Sequence, residues 1–376
     1  MWKNNYFDKN GKQGLTPFKW DRLQQDFKWL ADLAGIEQEP RYHGEGNVRN
    51  HTKMVLEAAL ALDEWAGLSE NEKYTLFAAC LLHDTGKLFC TKIIDGVITS
   101  KNHARKGAVF SRRIIWQGLD VPFSVREEIV GLILLHSLPL WLHEKNDPEK
   151  TVIKASQSVS LKLLALLAEA DVRGRICDDK EELLQRIELF KGEAQRLDCY
   201  DTPFIFESDA ARFLYFSKES MSLMYKPYEA YKSEVILMSG LPGAGKDYWL
   251  EKNTPDLPVI SLDDIRQEMS IYPEAKQHKV IDRVKEEARV MLRQGRSFIW
   301  NATNITRRMR KQLVDLFVAY QAKVVIVYIE PCYETLMKQN DNRQNAVPEM
   351  IMEKMMNSLE VPAVHEAHEV KYITGW

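Results

Sequence analysis

The sequence lacks several features that would place it in a specialised class of protein. Its five cysteines form no CxxC pair and no regular ladder, which favours reduced thiols in a cytosolic compartment. The formal net charge is −3, so the chain has no overall basic character, although a local basic groove remains compatible with that value. No apolar run approaches the ~20 residues of a membrane helix. The polar first residues also lack the apolar core of a signal peptide, so we expect a cytoplasmic protein with no membrane partner.

Two regions of contrasting pattern make up the chain, whose 376 residues exceed what one core usually serves. From about residue 17 to 225, segment after segment repeats apolar residues at helical spacing, and the one alternating piece, KIIDGVIT, fits a small hairpin. From residue 234 onwards, short apolar runs alternate with helical segments, which is typical of a parallel α/β sheet. The sequence therefore predicts an all-α domain over residues 1–230 and an α/β domain with a parallel sheet over 231–376.

A glycine-rich motif opens the second region, directly after an apolar strand and before a helix. Its spacing is that of a P-loop, in which backbone N–H groups surround phosphate and Lys246 reaches the terminal phosphates. ATP or another nucleoside triphosphate is therefore the predicted ligand, with Mg²⁺ at the same site. The Ser or Thr that usually contacts Mg²⁺ is replaced by Asp247, which can bind the metal but brings negative charge towards phosphate. The predicted nucleotide-binding residues are Gly240, Leu241, Pro242, Gly243, Ala244, Gly245, Lys246 and Asp247.

Three further segments supply polar residues where strands end, the edge at which parallel sheets bind ligands. In SLDDIR, Asp263 can accept a proton from an attacking hydroxyl and Arg266 can hold a phosphate, although an Asp at this junction also caps helices. The segment NATN provides amides, among them Asn304 as a possible phosphate contact. Arg343 lies in a polar segment that fits a lid, where it would stabilise the transferring phosphoryl group; an ordinary surface arginine is the alternative.

Together these motifs resemble the polynucleotide kinase branch of P-loop kinases over about residues 234–376. In that family the aspartate matched by Asp263 is the general base for a 5′-hydroxyl, and the arginine matched by Arg266 binds the phosphate at the nucleic-acid end. The lid motif is matched at Asn340, Arg343, Val347 and Pro348, with Gln339 in place of the leading arginine. Asn301 stands where the family has an aspartate, and we hypothesise that Asp247 has taken over part of its charge at Mg²⁺.

The first region concentrates histidines and aspartates near helix ends. His83 and Asp84 are adjacent inside an apolar run, where an unpaired carboxylate would be costly to bury. Imidazoles and carboxylates from separate helices suit a shared divalent metal site. The candidate ligands are His51, His83, Asp84 and Asp171, which His103 and His136 extend. Four other histidines have no such neighbours and are expected at the surface: His143, His278, His365 and His368.

This pattern resembles the HD phosphohydrolase superfamily over roughly residues 40–200. The match is carried by VRNHTKMVL, LLHDTGK and the downstream AD at Ala170–Asp171. The resemblance assigns His51, His83, Asp84 and Asp171 to a first transition metal and His103 and His136 to variants with a second, in sites that activate water and clamp phosphate. Lys87, His43, Arg105 and Lys106 are possible contacts to substrate phosphate.

The two halves together resemble bacterial bifunctional enzymes that heal broken nucleic-acid ends. Such an enzyme removes a 3′-phosphate or 2′,3′-cyclic phosphate and phosphorylates a 5′-hydroxyl, so that a ligase acting downstream can join RNA or DNA. One alternative is a small-molecule nucleotidase fused to a nucleoside or nucleotide kinase. Another is a nucleotide sensor without turnover, for which Asp247 and Asn301 are the only support.

Overall fold

The computed structural model describes residues 18–119, 121–254, 256–268, 277–343 and 345–375, apart from the side chains of residues 267, 277 and 278. The chain divides into two compact units, Met1–Phe204 and Ile205–Trp376. This division precedes the boundary predicted between residues 230 and 231. The helix Asp209–Ser217 accounts for the difference, because its Phe213 is part of the second unit's core and Arg212 Nε donates to the carbonyl of Val364 at 3.3 Å.

The first unit is helical, as the sequence predicts, with one small hairpin and four short 3₁₀ turns among its described residues. The hairpin joins β1 and β2 through Asp95 and Gly96, both at positive φ, as a tight Asp-Gly turn requires. The elements are α1 (Trp20–Asp26), α2 (Lys28–Asp32), α3 (Val48–Leu60), α4 (Glu70–Leu82), β1 (Lys92–Ile94), β2 (Val97–Thr99), α5 (His103–Gly118), α6 (Phe123–Leu135), α7 (Leu138–Trp141), α8 (Pro148–Ser156), α9 (Leu161–Arg173) and α10 (Lys180–Arg196), with 3₁₀ turns at Leu33–Gly35, Asp63–Gly67, Thr85–Phe89 and Leu142–Glu144.

Helix α9 is the centre of this unit. It packs against α3, α4 and α10, and its residues from Leu163 to Val172 are all buried. A helix that is buried on every face has to be surrounded by others, so α9 forms the axis of the core. Asp171 is therefore carried into the interior near the C-terminal end of the most buried helix, among helices whose ends carry the other candidate ligands.

The second unit is an α/β domain with a five-stranded, all-parallel sheet in the order β4-β5-β3-β6-β7. Strands β3 and β6 lie at its centre and are buried along almost their whole length, which explains their continuous apolar runs. The elements are α11 (Asp209–Ser217), β3 (Ser233–Ser239), α12 (Lys246–Asn253), β4 (Val259–Ser261), α13 (Leu262–Glu268), α14 (Gln277–Arg293), β5 (Phe298–Asn301), α15 (Arg307–Ala319), β6 (Ala322–Glu330), α16 (Tyr333–Asp341), α17 (Glu349–Ser358) and β7 (Glu369–Thr374).

The order of the strands creates a binding crevice at the end of β3. The chain leaves β3 towards β4 on one side, whereas it leaves the neighbouring β6 towards β7 on the other. Two adjacent parallel strands whose connections diverge leave a crevice beyond their carboxyl ends, and ligands bind there. The glycine-rich segment from Gly240 follows β3 and so lies at this crevice.

Two histidines expected at the surface are buried, which corrects that interpretation. His368 is 5% exposed and its Nδ1 accepts from the backbone N–H of Val324 at 3.0 Å. His365 is 7% exposed and its Nε2 lies 3.3 Å from a guanidinium nitrogen of Arg307. His143 is exposed as expected, and the side chain of His278 lies outside the described residues.

All five cysteines lie in the described ranges, and none of them is paired in a disulfide there. In those ranges no single helix has both the length and the apolar composition to cross a bilayer. Only the sharply bent pair α8 and α9 meets these criteria when the two helices are counted together.

Candidate functional site

The helical unit brings all six predicted metal ligands together from helix ends. Asn47 caps α3 by accepting from the backbone of Asn50, and His51 follows in the first turn. Ser69 and Glu72 form a capping box at the start of α4, which ends at Leu82, so the His–Asp pair stands at its C-terminus. His103 begins α5, His136 follows the last residue of α6, and Asp171 lies near the end of α9.

One glycine permits the close approach of two of these elements. A Cβ on Gly86, in the turn after Asp84, would lie 1.9 Å from the carbonyl oxygen of His103 and 2.5 Å from the backbone nitrogen of Gly107. No residue with a side chain fits there without moving α5. The absence of a side chain at Gly86 therefore allows His103 to approach Asp84.

The distances divide the six residues into two groups that share Asp84. Its Oδ2 lies 3.4 Å from His83 Nε2 and 3.7 Å from His51 Nε2, whereas its Oδ1 lies 3.6 Å from His103 Nε2. Within the first group, His51 Nε2 is 3.0 Å from Asp171 Oδ1 and 3.4 Å from His83 Nε2. Ligand atoms of His51, His83 and Asp171, and separately of Asp84, His103 and His136, are close enough to hold one ion each.

Three of the four imidazoles are held at Nδ1 by a backbone carbonyl, which directs Nε2 into the cluster. His83 binds the carbonyl of Cys80 at 2.8 Å, His103 that of Ser100 at 2.9 Å, and His136 that of Ile133 at 2.7 Å. Nδ1 of His51 lies 2.8 Å from a carboxylate oxygen of Glu45. Because a carbonyl can only accept, Nδ1 carries the proton in those three rings and the neutral ring presents an Nε2 lone pair, as metal-ligating histidines do.

The second group shows why a cation suits this cluster. Nε2 of His103 and Nε2 of His136 face each other at 3.2 Å. Burial lowers the pKa of His136 to about 3, assisted by His103 and His83, and burial also lowers the pKa of His103. Two neutral rings with protonated Nδ1 would oppose two lone pairs at this distance, which a divalent metal ion between or beside them would relieve.

Both aspartates of the cluster remain ionised because cations face them. Burial alone would raise their pKa values, but Lys87 for Asp84 and Arg175 for Asp171 hold both well below the ordinary range. Lys87 Nζ lies 2.7 Å from Asp84 Oδ2 and donates to Oε1 of Gln38 at 2.6 Å, while Arg175 Nε donates to Asp171 Oδ1 at 3.0 Å. Ionised carboxylates are the form that binds metal.

The predicted phosphate contacts of this unit occupy different places. His43 lies beside His51 with ring centroids 4.9 Å apart, and burial lowers its pKa to about 4. Lys87 is in the cluster through Asp84. Arg105 and Lys106 are exposed on α5, close in sequence to His103. Their contact with phosphate remains a prediction for all four.

In the α/β unit, the glycine-rich segment has the backbone of a phosphate-binding loop. Gly240, Gly243 and Gly245 have φ values of +151°, +76° and +91°, which side-chain-bearing residues rarely adopt. A Cβ at Gly240 would lie 2.6 Å from the carbonyl oxygen of Ile329 on β6. Helix α12 begins at Lys246, so the loop leads into a helix N-terminus whose free N–H groups favour anions.

Lys246 extends back over this loop. Its Nζ donates to the carbonyls of Gly240 at 3.1 Å and Leu241 at 2.9 Å. Burial lowers its pKa to about 8; the charge of Arg343 adds to this effect, and those of Asp247 and Asp263 oppose it. The four side chains therefore lie within electrostatic range of one another, as a phosphoryl-transfer site requires.

Asp247 and Asn301 meet at the mouth of the crevice. Asn301 Nδ2 donates to Asp247 Oδ1 at 2.6 Å, while Asn301 Oδ1 is buried without a hydrogen-bond partner among the described residues. Asn304, predicted as a phosphate contact, is 3% exposed, and its Nδ2 donates to the carbonyl of Met238 at 2.7 Å. In this structure its amide thus links the segment after β5 to β3, and its contact with phosphate remains a prediction.

The predicted base and lid residues flank Lys246. Asp263 lies in the first turn of α13, with its side chain 69% exposed and its Oδ1 2.5 Å from a guanidinium nitrogen of Arg266. Arg343 follows α16 and is exposed. The side chain of Asn340 joins the end of α16 to Val347: it donates to the carbonyl of Val347 at 2.9 Å and accepts from the Val347 N–H at 3.1 Å.

Comparisons with known proteins match the second unit. A family model described as an AAA domain matches residues 235–362. An L-seryl-tRNA(Sec) kinase from Methanococcus maripaludis is 22% identical over 37% of this chain and 58% of its own length. A multifunctional CCA protein from Pasteurella multocida is 27% identical over 44% of this chain and 39% of its own. The chain thus spans about half the length of these curated relatives.

A solved structure from Chloroflexus aurantiacus, described as a candidate kinase, is also similar to part of the chain. It has 15% sequence identity and a TM-score of 0.34, and the alignment covers 38% of this chain and 86% of the other. The match over residues 235–362 and the positive-φ glycine loop at the end of a central parallel strand are those of a P-loop domain in the second unit.

Sequence reasoning missed three residues that contact the metal cluster. Arg175 follows Asp171 by four positions, a spacing that could have suggested the pair at a helix end. Glu45 contacts both His43 and His51, and Gln38 contacts Lys87. Gln38 and Glu45 lie in loop segments before α3, and no periodic signal marks such residues.

Proposed function

We propose that the protein heals broken nucleic-acid ends through two phosphate-handling sites. The helical unit removes a 3′-phosphate or opens a 2′,3′-cyclic phosphate, and the P-loop unit phosphorylates a 5′-hydroxyl. The observation that carries this proposal is the buried cluster of four imidazoles and two ionised carboxylates, which gives a P-loop kinase-like chain a second site of a different chemical kind. The products, a 3′-hydroxyl and a 5′-phosphate, are the ends that a ligase joins.

The residues of the helical unit fit an HD-type phosphohydrolase. His51, His83, Asp84 and Asp171 would hold one divalent metal, and Asp84 with His103 and His136 a second. Bound divalent metals supply Lewis-acid activation of water and neutralise phosphate charge. In the hydrolysis of a 3′-phosphate, a water oxygen joins phosphorus, the bond from phosphorus to O3′ breaks, and O3′ takes up a proton.

In the kinase unit the chain's own residues would perform the transfer. The backbone of the loop and Lys246 hold the triphosphate, and Arg266 binds phosphate at the nucleic-acid end. Asp263 accepts the proton of the 5′-hydroxyl as that oxygen joins the γ-phosphorus. The bond from this phosphorus to the β,γ-bridging oxygen breaks, and the nucleoside diphosphate leaves. Arg343 stabilises the negative charge on the phosphoryl group during the transfer.

The names of the relatives are compatible with a nucleic-acid acceptor. One relative is a kinase whose named substrate is L-seryl-tRNA, and another is named as a CCA protein. Positive side chains also lie at the crevice: Arg266, partly exposed, and Arg343, exposed. Such groups suit the phosphates of an oligonucleotide as well as those of a nucleotide.

The acceptor can be tested with two neighbouring aspartates. We expect wild-type protein with ATP and Mg²⁺ to phosphorylate a 5′-hydroxyl oligonucleotide and not a free nucleoside. Asp263→Asn should lower this rate by 10²-fold or more, the usual range for loss of a general base. The matched control is Asp264→Asn, in the same turn of α13 and also exposed, and it should stay within about threefold of wild type.

Two results would count against the assignment. Equal losses in the Asp263 and Asp264 variants would remove the base role of Asp263. Phosphorylation of nucleosides at a rate equal to or above that of oligonucleotides would favour the nucleoside-kinase alternative instead.

A further inference from the structure

Glu45 makes contacts that no predicted role explains. Its side chain is 1% exposed, in the loop that precedes α3. Oε1 lies 2.8 Å from Nδ1 of His51 and 2.8 Å from Nδ1 of His43. Oε2 accepts a hydrogen bond from the backbone N–H of Ile176 at 2.9 Å. One carboxylate therefore joins two imidazoles to the segment that follows Asp171.

We propose that Glu45 is a positioning residue for the metal cluster, an inference that rests on the proposed phosphohydrolase site. The negative charge of the carboxylate, 2.8 Å from Nδ1 of His51, favours the proton on that nitrogen and so leaves the Nε2 lone pair towards Asp171 and His83. It also makes that imidazole a stronger ligand, because a carboxylate partner raises the electron density of the ring. The same oxygen orients His43 next to it, where that ring can meet the substrate.

The backbone around Glu45 is held independently of its carboxylate. The N–H of Gly44 donates to the carbonyl of Ile176 at 2.8 Å, and Asn50 Nδ2 donates to the carbonyl of Glu45 at 3.3 Å. A Cβ on Gly44 would lie 3.0 Å from that Ile176 oxygen, so the two segments are in close contact. A change confined to the carboxylate should leave the loop in place.

Glutamine is the suitable replacement because it keeps the volume of the side chain. Glutamine has one acceptor oxygen. That oxygen can face the imidazoles or accept from the N–H of Ile176, but it cannot do both. Its amide nitrogen then faces another donor, so the orientation of His51 is no longer enforced. Loss of such a partner typically weakens metal binding 10- to 100-fold.

The test is a metal titration of the full chain. Metal-free wild type, Glu45→Gln and Glu169→Gln would each be titrated with Co²⁺ against a competing chelator while the visible absorption of bound Co²⁺ is recorded. Glu169 is the matched control, since it lies on α9 near Asp171 and is buried, but its carboxylate binds Arg173 and Lys191 outside the cluster. Thermal unfolding of each metal-free protein accompanies the titration.

The expected result is a 10- to 100-fold weaker Co²⁺ affinity and an altered Co²⁺ spectrum for Glu45→Gln alone. Wild-type affinity and spectrum in that variant would overturn the proposal. Equal losses in the Glu169→Gln variant would also overturn it, because they would indicate a general effect of removing a buried carboxylate. Failure of the wild type itself to bind Co²⁺ would count against the metal site, and so against the proposed function.

Discussion

At the residue scale, the contact between Asp247 and Asn301 shows how this chain departs from the polynucleotide kinase motifs that its sequence resembles. The family pattern places a neutral hydroxyl in the loop and a carboxylate at the end of β5. Here the carboxylate stands in the loop, and an amide donates to it at 2.6 Å. The pair keeps one negative charge at the crevice and moves it to the other partner, which motivates the hypothesis that Asp247 supplies the carboxylate oxygen for Mg²⁺.

This exchange predicts a reciprocal double variant. Asp247→Ser alone removes the only carboxylate of the pair, and Asn301→Asp alone places two carboxylates together. Each should weaken Mg²⁺-dependent ATP binding by about tenfold or more, the loss expected for a charged hydrogen bond of ~1.5–3 kcal/mol. The double variant Asp247→Ser/Asn301→Asp should recover most of the affinity, measured by calorimetric titration with MgATP.

Additive losses in the double variant would show that the two positions act independently. In that case the charge exchange would be wrong. Normal metal dependence of the Asp247→Ser single variant would equally contradict it.

The residues of the buried cluster could be picked out in the sequence because they stand near the ends of helical segments, whereas their role as metal ligands stays a prediction. His83 and Asp84 are the polar pair in an apolar run, and Asp171 ends another. Glu45 and Arg175 were not predictable in the same way, since the importance of Glu45 arises from contact with Ile176, far away in sequence. His365 and His368 were wrongly expected at the surface because isolated histidines carry no periodic signal of burial.

At the scale of elements, the turn after Asp84 must pack directly on the start of α5. Gly86 makes this possible, and a Cβ there would overlap the carbonyl of His103 at 1.9 Å. The spacing between helix α4 and helix α5 therefore depends on one missing side chain. This spacing determines whether His103 can approach Asp84 as closely as His83 does.

Adding a single methyl group at Gly86 tests this arrangement. Gly86→Ala should lower the midpoint of thermal unfolding and reduce the stoichiometry of bound divalent metal, because α5 must move away from Asp84. Overpacking of this kind typically costs about 1–3 kcal/mol. The control is Gly192→Ala on α10, where a Cβ meets no atom within 4 Å; it should be neutral or slightly stabilising.

Retention of the full metal content by Gly86→Ala would show that the approach of α5 does not determine the cluster. The readouts are calorimetry for stability and elemental analysis for metal, each run on both variants.

Among the elements, the hairpin and strands β3, β4, β5 and β6 were read correctly from the sequence, whereas the edge strand β7 was not. The central strands β3 and β6 are buried along almost their whole length, so their apolar runs are unambiguous. Strand β7 was missed because it lies at the edge of the sheet and is only partly buried, which leaves Glu369–Thr374 without a clear apolar pattern. Helix α11 was assigned to the wrong side of the boundary because the packing of Phe213 is not visible in local sequence.

At the scale of the whole molecule, the chain combines two units with separate cores and separate chemistry. The second unit carries a loop with phosphate-binding geometry, and the helical unit gathers four imidazoles and two carboxylates in one buried cluster. A phosphate-binding loop by itself has no need of such a cluster. The combination is explained if the two sites act on the two ends left by one strand break. One chain would then prepare both ends for ligation.

The most direct measurement of this claim uses one oligonucleotide with a 5′-hydroxyl and a 3′-phosphate, incubated with ATP, Mg²⁺ and Mn²⁺. The account predicts that wild type converts both ends, that Asp263→Asn converts only the 3′ end, and that His83→Ala converts only the 5′ end. Product masses distinguish all four species. If wild type leaves both ends unchanged, or if either variant loses both activities while remaining folded, the account is contradicted.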